Sequence, residues 1–233
     1  MPKIPWPDVG DREQFRPSRP TLEEFSRTTA AGFIALVGIS DSGPRKMKLP
    51  SFNTLSALLL ASEVALAVAK RSNSRAAGKD RWTLPLLWTV IGLSIFAGLF
   101  LRGAFPEGRL PHPQIFYVIG LSLFLLGLII RWIAIIHLGR FFTVNVAIAE
   151  DHQLITTGPY RYVRHPSYTG TLLIFLGFGL CTLNFFSLAA IFLPITAAFL
   201  WRMHVEEAAL KQAFGDRYQT YATTTPRLIP LVF

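Results

Sequence analysis

Between positions 115 and 130 the chain carries no charged side chain, and a run of this kind limits what it can fold into. About 20 mostly apolar residues in a helix cross a hydrocarbon layer of roughly 30 Å, with every backbone N–H and C=O satisfied inside the segment. The run 115–137 meets that requirement and is uninterrupted until Arg131. Two earlier runs read the same way: Phe52–Ala69, broken by Glu63, and 84–101, closed by Arg102. Farther on, 168–183 and 185–201 are separated at Asn184 and read as a helical hairpin whose arms are near the short limit. The pattern predicts an all-α integral membrane protein with about five transmembrane helices, the last two forming a hairpin. Apolar residues make up 51% of the chain and charged ones only 16%, against about 25% charged in soluble domains.

Three stretches follow from this reading. Residues 1–50 form a polar, proline-rich arm with one short apolar segment, 30–39, too short to span and read as interfacial. Five prolines and many charged side chains fall within the first 24 residues, the opposite of an apolar leader segment. Residues 51–110 hold the first two transmembrane helices, and 111–233 hold the rest. Cys181, the single cysteine, lies in an apolar run, so no disulfide framework and no CxxC metal or redox site is expected. No metal is expected at all. The net charge of +9 reads as basic loops against anionic lipid, and no nucleic acid is expected as a partner.

Loop charge orients the helices. Lys70, Arg71, Arg75, Lys79 and Arg81 stand against Asp80 alone and predict a cytoplasmic loop. The next loop, with Arg102 and Arg109 against Glu107, fits the far side. The third span then returns the chain to the cytoplasm, where the loop 138–167 and the tail after 203 are expected. One conflict stands: an odd number of spans leaves Arg45, Lys46 and Lys48 outside, against the rule.

Ionisable groups beside a membrane are costly, so a dense cluster of them points to function. Residues 151–168 read DHQLITTGPYRYVRHPSY, with a turn at Gly158-Pro159 and a helix stop at His165-Pro166. Interfacial anchoring by Tyr and Arg would account for that composition on its own. The tail argues for more. Arg202 and Glu206 are four apart and share a helix face, and both charge signs arrive abruptly after an apolar run, facing the His165 loop across the hairpin. Residues 214–221 read as an amphipathic helix ending in aromatic anchors.

The run 154–170, LITTGPYRYVRHPSYTG, then the apolar hairpin, Glu206-Glu207 and Arg217-Tyr218-Gln219-Thr220-Tyr221, resembles the isoprenylcysteine carboxyl methyltransferase family. It is also similar to the related phospholipid methyltransferases. The likeness covers roughly 115–225. It implies a membrane methyltransferase region at 111–233, with the cytoplasmic loop and C-terminal helix closing a pocket for S-adenosyl-L-methionine. It also implies a route from the bilayer for a lipid-modified or lipophilic acceptor. Carried over by position, the cofactor contacts fall on His152, Gln153, Leu154, Ile155, Tyr160, His165, Pro166, Ser167, Tyr168 and Glu206. Arg202 matches the position for the substrate carboxylate.

The residue types suit those roles. Glu206 can accept from an ammonium group, tyrosine faces suit a purine or a sulfonium, and the Arg202 fork suits a carboxylate. A carboxylate acceptor requires no general base, so His165 reads as a pocket residue; hydrogen bonding that anchors its loop is the plainer reading. Rival readings are a phospholipid amine, which would require a base, a small thiol, and a non-catalytic lipid-binding membrane protein. A weaker likeness extends to membrane sterol reductases.

Overall fold

The computed structural model describes residues 49–69, 83–142 and 154–230. They form six α-helices: α1 (Phe52–Ala69), α2 (Thr83–Ala104), α3 (Pro113–Leu138), α4 (Pro166–Leu180), α5 (Phe185–Phe214) and α6 (Asp216–Thr224). An isolated bridge pairs Arg109 with Asn184. The arm before position 49, its 30–39 segment, and the basic loop 70–81 lie outside the described residues.

The helix ends follow local chemistry. Pro113 and Pro166 open α3 and α4, where the missing N–H costs nothing and the fixed φ suits a first turn. Gly139 and Gly215 close α3 and α5 at φ +56° and +53°, a conformation that disfavours side chains with a Cβ. Asn184 caps α5 by accepting from Ser187 N at 3.1 Å, and its Nδ2 donates to Phe105 O at 2.8 Å. The expected hairpin is therefore present, and its turn lies beside the α2–α3 connection.

α5 departs from the sequence boundaries by running unbroken past Trp201 to Phe214. The expected helix over 214–221 instead begins afresh after the Gly215 break. The arm expected over 168–183 is helical from Pro166 to Leu180, and the turn 181–183 precedes Asn184. By length and composition α2, α3 and α5 are long and apolar enough to cross a membrane, while Phe52–Leu66 and Pro166–Leu180 are shorter apolar stretches.

Close backbone approach joins α3 to α4. A Cβ on Gly127 would lie 2.5 Å from Gly170 O, and one on Gly177 would lie 2.4 Å from Gly120 O. Small residues at such crossings are how helices pack in lipid, where burial of apolar surface gives no net drive. Phe124, Ile174, Phe178, Ile191 and Ile195 fill the centre at 0–1% exposure. Phe96, Ile129, Ile136 and Leu193 face outward at 56–71% exposure, the inverse of a soluble surface and suited to lipid.

The bundle has two distinct ends. Pro50, the α2–α3 connection and Asn184 are at one end, where the Tyr117 hydroxyl donates to Pro50 O. The end of α3, the loop 154–165, the polar turns of α5, and α6 are at the other, where Gly158 lies against the His137 ring.

Candidate active site

Gly158 takes φ +59°, and a Cβ there would come within 2.5 Å of the His137 ring. The tight turn Gly158–Arg161 that follows drives Tyr160 into the bundle at 8% exposure, with its hydroxyl 3.4 Å from Ala134 O. His137 Nε2 lies 3.1 Å from Thr157 Oγ1, so His137 braces the loop. The Tyr221 hydroxyl of α6 donates to Tyr160 O at 2.6 Å.

The chain after α6 runs alongside the start of α4. Arg164 N donates to Pro226 O at 2.8 Å, His165 N to Arg227 O at 3.0 Å, and Thr169 Oγ1 to Leu228 O at 2.8 Å. Beneath this strap lies Glu207. Its Oε1 is 3.0 Å from Arg164 Nη1 and 3.2 Å from His165 Nε2, and its Oε2 is 2.8 Å from Arg227 Nη2. Burial alone would raise the Glu207 carboxyl. The hydrogen bonds from His165 and Arg227, with the charges of His165 and Arg164, outweigh it and hold the group at about 2. Glu207 is therefore a fixed anion that clamps three positions of the loop and tail.

Glu206, one position earlier, faces another way. Its Oε2 accepts from the Tyr168 hydroxyl at 2.7 Å, and the same hydroxyl accepts from Arg202 Nε at 3.2 Å. Arg202 is 4% exposed, and its Nη1 donates to Thr83 Oγ1 at 2.9 Å. The expected shared face of Arg202 and Glu206 is present, with Tyr168 set between them. The rings of His165 and Tyr168 stack at 5.5 Å, and Phe199 closes on Tyr168 at 5.3 Å.

These groups form the head of a cavity of about 580 Å³. Leu154, Ile155, Tyr160, His165, Ser167, Tyr168, Arg202 and Glu206 all line it. Pro166 is fully buried and starts α4 without being part of the wall, and His152 and Gln153 lie outside the described residues. Away from the head the wall turns apolar, with Leu59, Leu87, Ile91, Ile95 and Phe178 between α1 and α2 and against α4. Burial, then the charge of Glu206, raises the Tyr160 hydroxyl; burial, then the charge of Glu207, pushes Tyr218 up to about 12. Both remain protonated at neutral pH.

Five ionisable wall residues were absent from the sequence-derived site: Arg164, Tyr218, Tyr221, Glu63 and Arg131. Arg164, Tyr218 and Tyr221 stand inside the matched motifs and were legible there. Glu63 and Arg131 were visible only as charges interrupting apolar runs.

Comparison with known proteins bears on the whole arrangement. Residues 118–212 match the model of the isoprenylcysteine carboxyl methyltransferase (ICMT) family. Protein-S-isoprenylcysteine O-methyltransferase B of Arabidopsis thaliana is 39% identical over 115 residues, which are 48% of this chain and 58% of that protein. The protein-S-isoprenylcysteine O-methyltransferase of Schizosaccharomyces pombe is 37% identical over 121 residues, 51% of each chain. The chain thus spans less than two thirds of these relatives' length. The structure of a eukaryotic intramembrane Ras methyltransferase, ICMT, superposes with a TM-score of 0.60 at 25% identity, covering 78% of this chain and 65% of that one. The resemblance seen in the motifs therefore holds in sequence and in fold: the C-terminal half of this chain is similar to the isoprenylcysteine carboxyl methyltransferases.

Proposed function

We propose that this protein is a membrane enzyme that transfers a methyl group from S-adenosyl-L-methionine to a carboxylate on a lipophilic acceptor. The acceptor this reading favours is the C-terminal carboxyl of an isoprenylated cysteine, the group named in its relatives. The observation that carries it is the Arg202–Tyr168–Glu206 cluster at the head of a cavity whose wall is mostly apolar between α1, α2 and α4.

The residues suit the cofactor by their chemistry. About 580 Å³ falls within the range of roughly 300–1,000 Å³ usual for small-molecule sites. Glu206 offers an acid to an ammonium group, while Tyr160 and Tyr168 offer aromatic faces and hydroxyls. Leu154, Ile155, His165, Pro166 and Ser167 would complete this part of the site, and the family likeness also assigns His152 and Gln153 to it. When bound, the cofactor supplies an electrophilic methyl on a sulfonium.

Arg202 would hold the acceptor carboxylate. A guanidinium presents parallel donors to two oxygens, whereas an amine acceptor would meet repulsion from the same charge. A carboxylate is already nucleophilic at neutral pH, so no side chain has to take a proton. What remains is alignment and removal of water, and proximity of this kind can contribute about 7–11 kcal/mol. His165 is engaged with Glu207, which suits a positioning role better than that of a base. The excess of Lys and Arg over positions 70–81 supports a cytoplasmic orientation of the site in this reading.

The test is incubation of the purified protein in lipid with methyl-labelled S-adenosylmethionine and separate pools of prenylcysteine, phosphatidylethanolamine and thiol acceptors. Base-labile label in the prenylcysteine pool is expected. Label confined to the lipid or thiol pool would overturn the carboxylate assignment.

A further inference from the structure

Arg102 and Arg109 lie at the end of the bundle away from the cavity head, outside the site described so far. Arg102 is in the last turn of α2, 19 positions after Thr83, which puts it about 28 Å along the helix from the Arg202–Thr83 contact. Arg109 follows the tight turn Pro106–Gly108, and its N–H donates to Pro106 O at 3.2 Å. Its backbone also bridges to Asn184, and Leu110 N donates to Leu183 O at 3.0 Å, so the α2–α3 connection is stapled to the hairpin turn. Both arginine side chains therefore start from backbone that is held in place.

Charge is what this end leaves unbalanced. Arg109 is close enough for its charge to act on Arg102. Among the described residues neither side chain has an ion pair or a side-chain hydrogen bond. Glu107, the one acid of the connection, is exposed and pairs with neither. The last turn of a helix favours a cation by about 0.3–1 kcal/mol, which accounts for Arg102 by itself. It does not account for Arg109, which stands outside the helix and brings a like charge to it. Topology does not account for the pair either, because a loop on the far side is where few arginines are expected.

The surroundings select the counter-charge. Leu99 and Phe105, three positions on either side of Arg102, are both exposed, so the arginine rises from an apolar outer face. The exposed ring of Phe186, from the hairpin, extends that face and lies 5.5 Å from Phe105. A phospholipid has a part for each element: hydrocarbon for the apolar face, and phosphate oxygens for the planar donor fork of arginine. Free phosphate would meet the charge and leave the apolar face unused.

We propose that Arg102 and Arg109 bind the phosphate of an anionic phospholipid in the leaflet that meets this end of the bundle, with its acyl chains along Leu99, Phe105 and Phe186. A zwitterionic lipid fits less well, because its choline or ethanolamine would bring a further cation up to two arginines. This site is independent of the methyl-transfer reading.

The experiment is native mass spectrometry of the full chain in neutral detergent, titrated with dioleoyl phosphatidylglycerol or dioleoyl phosphatidylcholine. The wild type is expected to bind the first phosphatidylglycerol about tenfold more tightly than phosphatidylcholine, in keeping with two arginines beside an anionic lipid. In Arg102→Gln/Arg109→Gln most of that preference should disappear. Arg161→Gln/Arg217→Gln removes the same charge from exposed positions at the cavity end and should keep the preference. Arg102→Lys/Arg109→Lys retains the charges without the fork and should fall between the wild type and the glutamine variant. Circular dichroism reports whether each variant is folded, and Arg109→Gln alone, at an exposed position outside the helices, supplies a milder loss in the same direction. A wild-type preference near one, a preference kept in folded Arg102→Gln/Arg109→Gln, or an equal fall in the two glutamine pairs overturns the proposal. Inorganic phosphate that binds as tightly as phosphatidylglycerol would also overturn it, as a site for a free anion.

Discussion

His165 Nε2 lies 3.2 Å from Glu207 Oε1, and through this contact the start of α4 is held by the polar turns of α5. Arg164 and Arg227 reach the same carboxylate, so one acid secures the loop before α4 and the strap after α6. Removing it would leave three cationic or polar groups gathered around nothing.

That arrangement has a pH signature. The Glu207 carboxyl is held at about 2, below its ordinary 4.5, so its stabilisation is complete above about 4.5 and is lost as pH falls through about 2. Thermal unfolding of the protein in detergent should therefore show a falling midpoint across that window. In Glu207→Gln that dependence should flatten, and stability at pH 7 should drop by about 1–3 kcal/mol, the cost of an unsatisfied buried partner. Equal slopes in the two proteins would show that Glu207 is not the group responsible.

Glu206 predicts a different phenotype from its neighbour, because it faces the cavity through Tyr168. Glu206→Ala should weaken S-adenosylhomocysteine binding at least tenfold, or about 1.4 kcal/mol, within the range for a charge-assisted hydrogen bond. Calorimetry on the detergent-solubilised variant measures this directly. Unchanged affinity would remove Glu206 from the cofactor contacts.

Arg202→Lys separates acceptor from cofactor. Lysine keeps the charge but loses the parallel donors, and a misplacement of about 1 Å can cost on the order of a hundredfold in rate. Turnover should fall by that order while cofactor affinity stays nearly constant. Parallel loss of both would assign Arg202 to shaping the cofactor pocket through Tyr168. Full activity would point to an amine or thiol acceptor.

The two ends of the bundle can be assigned to membrane faces by labelling. With Cys181 replaced by alanine, single cysteines at Tyr162 and Thr223, both exposed at the cavity end, should react from the cytoplasmic side. A cysteine at Glu107, exposed beside the Asn184 turn, should react from the opposite side. Reaction of positions 162 and 107 from the same face would refute a full crossing between them.

Much of this protein was legible in its sequence. Uncharged runs longer than a soluble helix requires predicted the apolar helices, because unpaired backbone groups have no partner in lipid. Pro113, Pro166, Asn184, Gly139 and Gly215 mark their ends through local φ and capping preferences that need no tertiary contact. The motif between Leu154 and Gly170, with Glu206 four positions after Arg202, brought most of the cavity's head together on paper.

Tertiary structure decided what lies opposite each of those groups. Adjacent positions on a helix are turned by about 100°, so Glu206 and Glu207 necessarily point apart. The sequence could not say that the first would meet Tyr168 and the second His165, Arg164 and Arg227. Glu63 and Arg131 looked like separate blemishes in two apolar runs and proved to be one ion pair across 68 positions. Helical periodicity determines which face a side chain occupies. Which other helix covers that face depends on close approach, here through Gly127 and Gly177, and only the folded bundle specifies it.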